Sequence, residues 1–449
     1  MKQKEVIVTP DFTERFLYHI WDAQHLMGDL QTVSGKDVKV ISPGRLNNGA
    51  GPDFREAVIS IGGDLQRGDV EIHKTTYDWQ NHKHTEDPNY CNVILHVVYQ
   101  HNTWQEYTLN KDARAIEVLE LKGFLDDDIK RILSDYRENP KVPKEKFCRF
   151  FADQPAETLP VLLSHYGKER LAEKEKRFSA ELYFAGFNQL AYQGILEALG
   201  YTNNKFQMLQ LANSITYEVL RKAFQDGMTE NQMIALLLGS SGLLDRLPKS
   251  FPREFVLKWK ELYGQQNFYQ EPVLINWHLF RIRPVNHPGI RLIQIVPLIY
   301  RSLSGSLFHE LIKLFSYPQG KVKMKEFYQR LSTLFIGESD FLPRIWWLGK
   351  TRLDTIFINI LLPLILLYAH KNKYDELADA AMEVYGEYRK LPANYLTRAM
   401  ERYMDNLQIK VVGKKAIYQQ GLLHIYNNYC QYYSCDECDQ ERKKLIKRF

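Results

Sequence analysis

Residues 51–74, GPDFREAVISIGGDLQRGDVEIHK, decide the fold of the N-terminal part of this chain. Ala57-Val58-Ile59-Ser60-Ile61 is largely β-branched and apolar, Gly62-Gly63-Asp64 is a turn signal, and Gly68 to Lys74 alternates again. Two such runs around a two-glycine turn predict a β-hairpin. In a strand, residues i and i+2 share a face, so Asp69, Glu71 and His73 lie on one side and Val70 and Ile72 on the other. Lys74 falls on the apolar side or at the strand end. Asp53 precedes Glu71 by 18 positions and comes alongside it when the hairpin closes.

Outward from the hairpin, the pattern before it reads as a short strand through Val38, Val40 and Ile41. Before that strand lies an amphipathic helix over 11–27, with Phe16, Leu17, Ile20 and Trp21 inward and Thr13 or Asp11 as its cap. Val93 to Tyr99 and Ile116 to Leu121 predict further strands. Helical periodicity dominates from Leu162 onward, and no repeat of fixed length appears. The expected architecture is α+β, a mixed-sheet α/β domain over 1–134, a linker over 135–150 marked by Pro140 and Pro143, and an irregular helical domain over 151–449.

The 45% hydrophobic and 25% charged fractions exclude a disordered chain, and a net charge of +5 leans only mildly toward polyanions. Met1-Lys2-Gln3-Lys4-Glu5 is no secretory signal, and Ile356 to Ala369, interrupted by Asn359 and Pro363, reads as a buried helix rather than a membrane span. A cytoplasmic protein without membrane attachment is the expectation, its oligomeric state open. No phosphate loop, nucleophile elbow or dinucleotide fingerprint occurs.

Carboxylates and imidazoles crowd together between 53 and 96. Asp53 and Glu71 are candidate ligands for Mg2+ or Mn2+, His73 is the candidate base, and Lys74 is an accessory group. Asp78-Trp79, His82, His84, Asp87 and His96 add candidate ligands. His82 and His84 share a face only if extended, since in a helix they diverge by about 200°. Imidazoles with a carboxylate also suit zinc, which gives the competing expectation of a zinc hydrolase or cupin-like site.

Pro52-Asp53, a strand, then Glu71-Ile72-His73 in the next strand resembles the restriction-endonuclease-like superfamily, whose signature is Pro-Asp followed by Asp/Glu-x-Lys. That resemblance implies a nuclease-like mixed sheet and metal-dependent hydrolysis of phosphodiesters in DNA or RNA. His73 departs from the family's lysine, which bears on the base and on the metal. The rival implication is a degenerate nuclease fold kept as a nucleic-acid or protein-binding scaffold. Over the whole chain, Phe16 to Trp21, Ser42-Pro43-Gly44, Asn48 to Phe54, Val70 to His73, Asp78-Trp79, His82-x-His84 and Val93 to Val98 resemble a bacterial family catalogued as a domain of unknown function. It implies no activity.

Two features lie outside this cluster. Cys430, Cys435 and Cys438 have a chelating C-x4-C-x2-C spacing suited to zinc or an iron–sulfur cluster, with His424 as the local fourth ligand and Cys148 or Cys91 as distant ones. Arg281, Arg283 and Arg291, near Trp277 and His287, are candidate phosphate contacts, and Arg170, Lys174 and Arg177 share a helix face that would suit a nucleic-acid backbone.

Overall fold

The computed structural model describes residues 12–47, 49–126, 148–152, 154–265, 273–315, 323–335, 348–432 and 435–447. Asp11 and the expected linker over 135–147 lie outside them. The chain forms two compact units. The first comprises residues 1–162 together with 396–408 and 422–449, so the end of the chain belongs to the N-terminal unit rather than to the helical one. The second comprises 163–395 and 409–421. The fold is α+β, as the sequence predicts.

The first unit begins with α1 (Glu14–Ala23), whose N-cap Thr13 is extended but makes no side-chain cap. Strands β1 (Val38–Ser42), β2 (Arg45–Leu46), β3 (Phe54–Ile61), β4 (Asp64–Thr75), β5 (Val93–Gln100), β6 (Tyr107–Leu109) and β7 (Ala115–Glu120) form one mixed sheet. Its order is β1-β3-β4-β5-β7-β6, with β2 also on β3. The predicted hairpin is β3–β4, closed by Gly62 and Gly63 at φ 60° and 92°, the doubly positive pair that matches strand twist. β4 runs parallel to β5, and β5 to β7. A cupin-like jelly roll is built of antiparallel pairs, so these parallel pairs exclude it.

One face of the sheet, with Val70 and Ile72, packs against Phe16, Leu17, Ile20 and Trp21 of α1. A smaller apolar group of Trp79, Tyr90, Val93 and Ile116 forms separately. Parallel strands require a crossover, and the β4-to-β5 crossover contains α2 (Asp78–Asn81) and a 3-10 turn at Pro88–Tyr90. A bulge interrupts β3 at Glu56, whose φ is 59° and whose N–H donates to Asp69 Oδ1 at 3.1 Å. That contact commits Asp69 to the backbone. Burial pushes its carboxyl up to about 6.

The second unit is helical around a core that includes Leu190, Tyr192, Ile293, Phe357 and Tyr388. The segment Lys350–Asn372 is long and apolar enough to cross a membrane by length and composition, with 78% of its most apolar window buried inside the protein. It contains a π-helical turn at Phe357–Leu361, just before Pro363, which has no N–H for the helical ladder. Asn359 Oδ1 in that turn accepts from Lys174 Nζ at 2.7 Å. Lys174 and Arg170 both donate to Gln420 Oε1, and Arg177 lies near Glu181 and Glu197. The three cations expected to follow a nucleic-acid backbone are therefore used in interior contacts.

Candidate metal centre

The site starts from the bulge. It sets Asp53 opposite Glu71, and the Asp53 N–H donates to Glu71 Oε2 at 3.0 Å. Asp53 accepts from the Tyr18 hydroxyl at 2.6 Å through Oδ1 and from the Ile72 N–H at 3.0 Å through Oδ2. The proximity expected for Asp53 and Glu71 is therefore present. With Glu71 Oε2 anchored, Oε1 turns toward His73 Nε2 (3.4 Å) and His84 Nε2 (3.1 Å). His73 Nε2 in turn lies 3.0 Å from His82 Nδ1.

Two histidines two residues apart meet here by a backbone device. α2 is a single turn, His82 caps its C-terminus, and Lys83 is left-handed at φ 60°. The reversal returns His84 toward β4, so the pair is neither extended nor helical. Trp79 pins the loop, its Nε1 donating to Thr85 Oγ1 (3.1 Å) and Leu109 O (3.0 Å). Tyr90 stacks on His84 at 3.8 Å. Asp78 accepts from the Thr75 N–H and hydroxyl, bonds that hold its carboxyl below the usual range against partial burial.

Donor atoms of His73, His82 and His84 lie within 4.8 Å of one another. Ligands on a tetrahedral zinc with bonds near 2.0–2.1 Å are about 3.3–3.4 Å apart; the 3.4 Å gap matches that spacing, and the gaps of 3.0 and 3.1 Å, at hydrogen-bond length, open to it by a few tenths of an ångström. His84 Nε2 is buried and makes no directed hydrogen bond. Burial keeps His73 neutral, lowering it to about 3, and lowers His84 as well, and the neutral imidazole is the ligating form. Burial and mutual charge push Asp53 up to about 7, and burial pushes Glu71 up to about 8. The residues fit a divalent ion.

His96, fully buried on β5, sits in the second layer. Its Nε2 is 2.9 Å from His73 Nδ1, which leaves His73 Nε2 to face the other donors. His96 is thus not itself among the converging ligands. Asp87 caps the 3-10 turn by accepting from Asn89 N at 2.9 Å. Lys74 lies on the opposite strand face, its ammonium 5.9 Å from the Phe12 ring, and does not join the donors. The base role expected of His73 also changes, because both of its nitrogens are engaged. Sequence reasoning missed Tyr18 and Glu14. They lie one helical turn apart on α1, and Glu14 is raised chiefly by burial while feeling the charges of His82 and His84. The i, i+4 spacing was the available signal.

Among the thiols, Cys435 and Cys438 open the terminal helix Cys435–Ile446, and Cys430 begins a 3-10 turn. Cys148 precedes the short helix Arg149–Ala152, and Arg149 pairs with Asp436 at 2.7 Å. Burial pushes Cys430 up to about 12, with Cys148 and Cys435 adding to it. Burial also raises Cys438, and the thiols of Cys430, Cys148 and Cys435 contribute. His424 instead contacts Asn428. Cys148, one of the two distant candidates, is the thiol whose charge reaches Cys430 and Cys438.

In the helical unit, Arg291 is buried and donates to Gln294, Tyr201 and Asn286 at 2.6–2.8 Å. These contacts assign it to packing rather than to phosphate. Arg281 and Arg283 are exposed, and Arg281 lies over the exposed Phe280 ring.

Fold and site together define an α+β protein with an imidazole-rich candidate metal centre on a parallel crossover. The family model described as protein of unknown function DUF2851 matches residues 14–392, and the chain belongs to that family. No curated protein and no solved structure matches it.

Proposed function

We propose that this chain is a metal-dependent hydrolase of phosphodiesters in nucleic acid, with Glu71, His73, His82 and His84 holding the ion. The convergence of three imidazole nitrogens from β4 and its crossover, with Glu71 Oε1 beside His73 and His84, carries the reading. Asp53 beside Glu71 on a mixed sheet agrees with the superfamily resemblance, and the positive net charge suits a polyanion. Imidazole donors favour zinc over magnesium, which prefers oxygen ligands.

When bound, the ion polarises the phosphodiester and acidifies water. Asp53 accepts the proton of the attacking water at a carboxylate oxygen, while the Tyr18 hydroxyl and Ile72 N–H hold its orientation. Glu71 Oε2, fixed by the Asp53 N–H, keeps Oε1 on the ion, and His96 keeps the His73 tautomer. Trp79 and Tyr90 pack against His84, while His82 is exposed to water. Arg281 and Arg283 remain candidate phosphate contacts. Cys148, Cys430, Cys435 and Cys438 are read as a structural zinc or iron–sulfur site, since a metal holds as thiolates the thiols that burial raises at Cys430 and Cys438.

The test is cleavage of labelled single- and double-stranded DNA and RNA by the full chain with manganese, zinc or magnesium, beside Glu71→Gln and His84→Ala. Metal-dependent cleavage that both variants reduce to background supports the reading. Cleavage unchanged by Glu71→Gln overturns it. Oligonucleotide binding without cleavage under any metal would replace it with the scaffold reading. For the thiols, metal analysis and the visible spectrum of purified protein should show zinc or an iron–sulfur band that Cys148→Ser diminishes.

A further inference from the structure

The first unit contains a second cluster of imidazole and carboxylate donors. His19 Nε2 lies 3.7 Å from Glu437 Oε2, and His25 Nε2 lies 3.8 Å from Glu437 Oε1. The donor atoms of all three residues are within 4.8 Å of one another. We propose that His19, His25 and Glu437 bind a divalent transition metal, best fitted by zinc, that ties the terminal helix to α1.

Three observations converge. The two nitrogen–oxygen gaps are too long for hydrogen bonds, yet a tetrahedral or somewhat opened ion with bonds near 2.0–2.2 Å separates its ligands by about 3.3–3.8 Å. Glu437 Oε2 is buried without a hydrogen-bond partner. His25 Nδ1 lies 3.0 Å from Asp126 Oδ2, the outer carboxylate that fixes a ligating histidine's tautomer and leaves Nε2 for the metal.

Local backbone explains how the donors meet. His19 and His25 are six residues apart and would point in different directions on a continuing helix. α1 instead stops at Gln24, left-handed at φ 55°, and His25 N–H returns to Ile20 O at 3.0 Å. The imidazoles then meet edge to face at 4.9 Å. On the terminal helix, Glu437 is about 200° from Cys435 and about 100° from Cys438. Its first turn therefore presents thiols and carboxylate in different directions, and the two candidate sites are separable by mutation.

The experiment measures zinc equivalents in the full-length protein, equilibrated with zinc and desalted, for wild type, Glu437→Gln, His25→Gln and the double variant. Each single variant should hold one equivalent fewer than wild type, and the double variant no fewer than either single one. Zinc should also raise the melting temperature of wild-type protein more than that of Glu437→Gln. Equal zinc content in wild type and both single variants overturns the proposal, as does a further loss in the double variant. Glu437→Gln should retain phosphodiester cleavage, so failure of this site leaves the hydrolase reading standing, and the reverse also holds.

Discussion

The raised carboxyl of Glu71 makes metal affinity at the first site a steep function of pH. Only the ionised form ligates. With its acid held up to about 8 by burial, Glu71 is about 1% ionised at pH 6 and about 90% ionised at pH 9. The apparent dissociation constant for manganese should fall roughly 100-fold over that interval, about 2.7 kcal/mol. His73, lowered to about 3, adds no competing proton there. Free Mn2+ measured by its electron paramagnetic resonance signal in mixtures with the full chain reads the constant directly, and Glu71→Gln should flatten the profile. The same groups fix the sign for stability. Asp53 and Glu71 have folded values raised above 3.8 and 4.5. Their contribution to the metal-free fold is complete below about pH 4 and is lost as pH rises through 7–8. Added ion should therefore stabilise most at alkaline pH. An affinity that stops rising above pH 7, with a midpoint near the ordinary imidazole value, would refute this account, because Glu71 would then ionise like a solvated acid.

Four further outcomes follow from individual residues. His96→Leu, which removes the partner of His73 Nδ1, should weaken manganese binding 10- to 100-fold, measured in the same resonance titration. Lys83→Gly should preserve that binding, whereas Lys83→Val should weaken it, because a β-branched side chain opposes φ 60°. Arg291→Ala should lower the urea midpoint while leaving oligonucleotide affinity unchanged. Arg281→Ala with Arg283→Ala should instead weaken oligonucleotide binding and flatten its dependence on salt, by about one in the log–log slope for each phosphate that is no longer neutralised.

Local patterns carried the hairpin, its Gly62-Gly63 turn and the shared face of Glu71 and His73, because each depends on strand period and turn chemistry within a dozen residues. The fate of Asp69 was not legible. A bulge at Glu56, signalled by no glycine, turns that carboxylate to a backbone N–H. His96 could be read as a strand residue but not as the partner of His73, since the parallel β4–β5 register joins residues across a crossover. The thiols show the same limit. Sequence proximity favoured His424, whereas the fold returns the chain's end to Cys148.

Both imidazole clusters depend on a residue other than glycine in the left-handed region, Gln24 for His25 and Lys83 for His84. Such a residue costs roughly 1–3 kcal/mol and persists only where surrounding contacts over-determine it. At Lys83 those contacts are the buried Trp79 and the stack of Tyr90 on His84. At Gln24 they are the return of His25 N–H to Ile20 and the His25–Asp126 pair. Neither reversal has a local sequence mark, so periodicity assigns the histidines to helix faces or strand faces on which they never meet. Backbone strain at both positions is offset by those contacts, and each returned imidazole directs a nitrogen toward a carboxylate, His84 toward Glu71 and His25 toward Glu437.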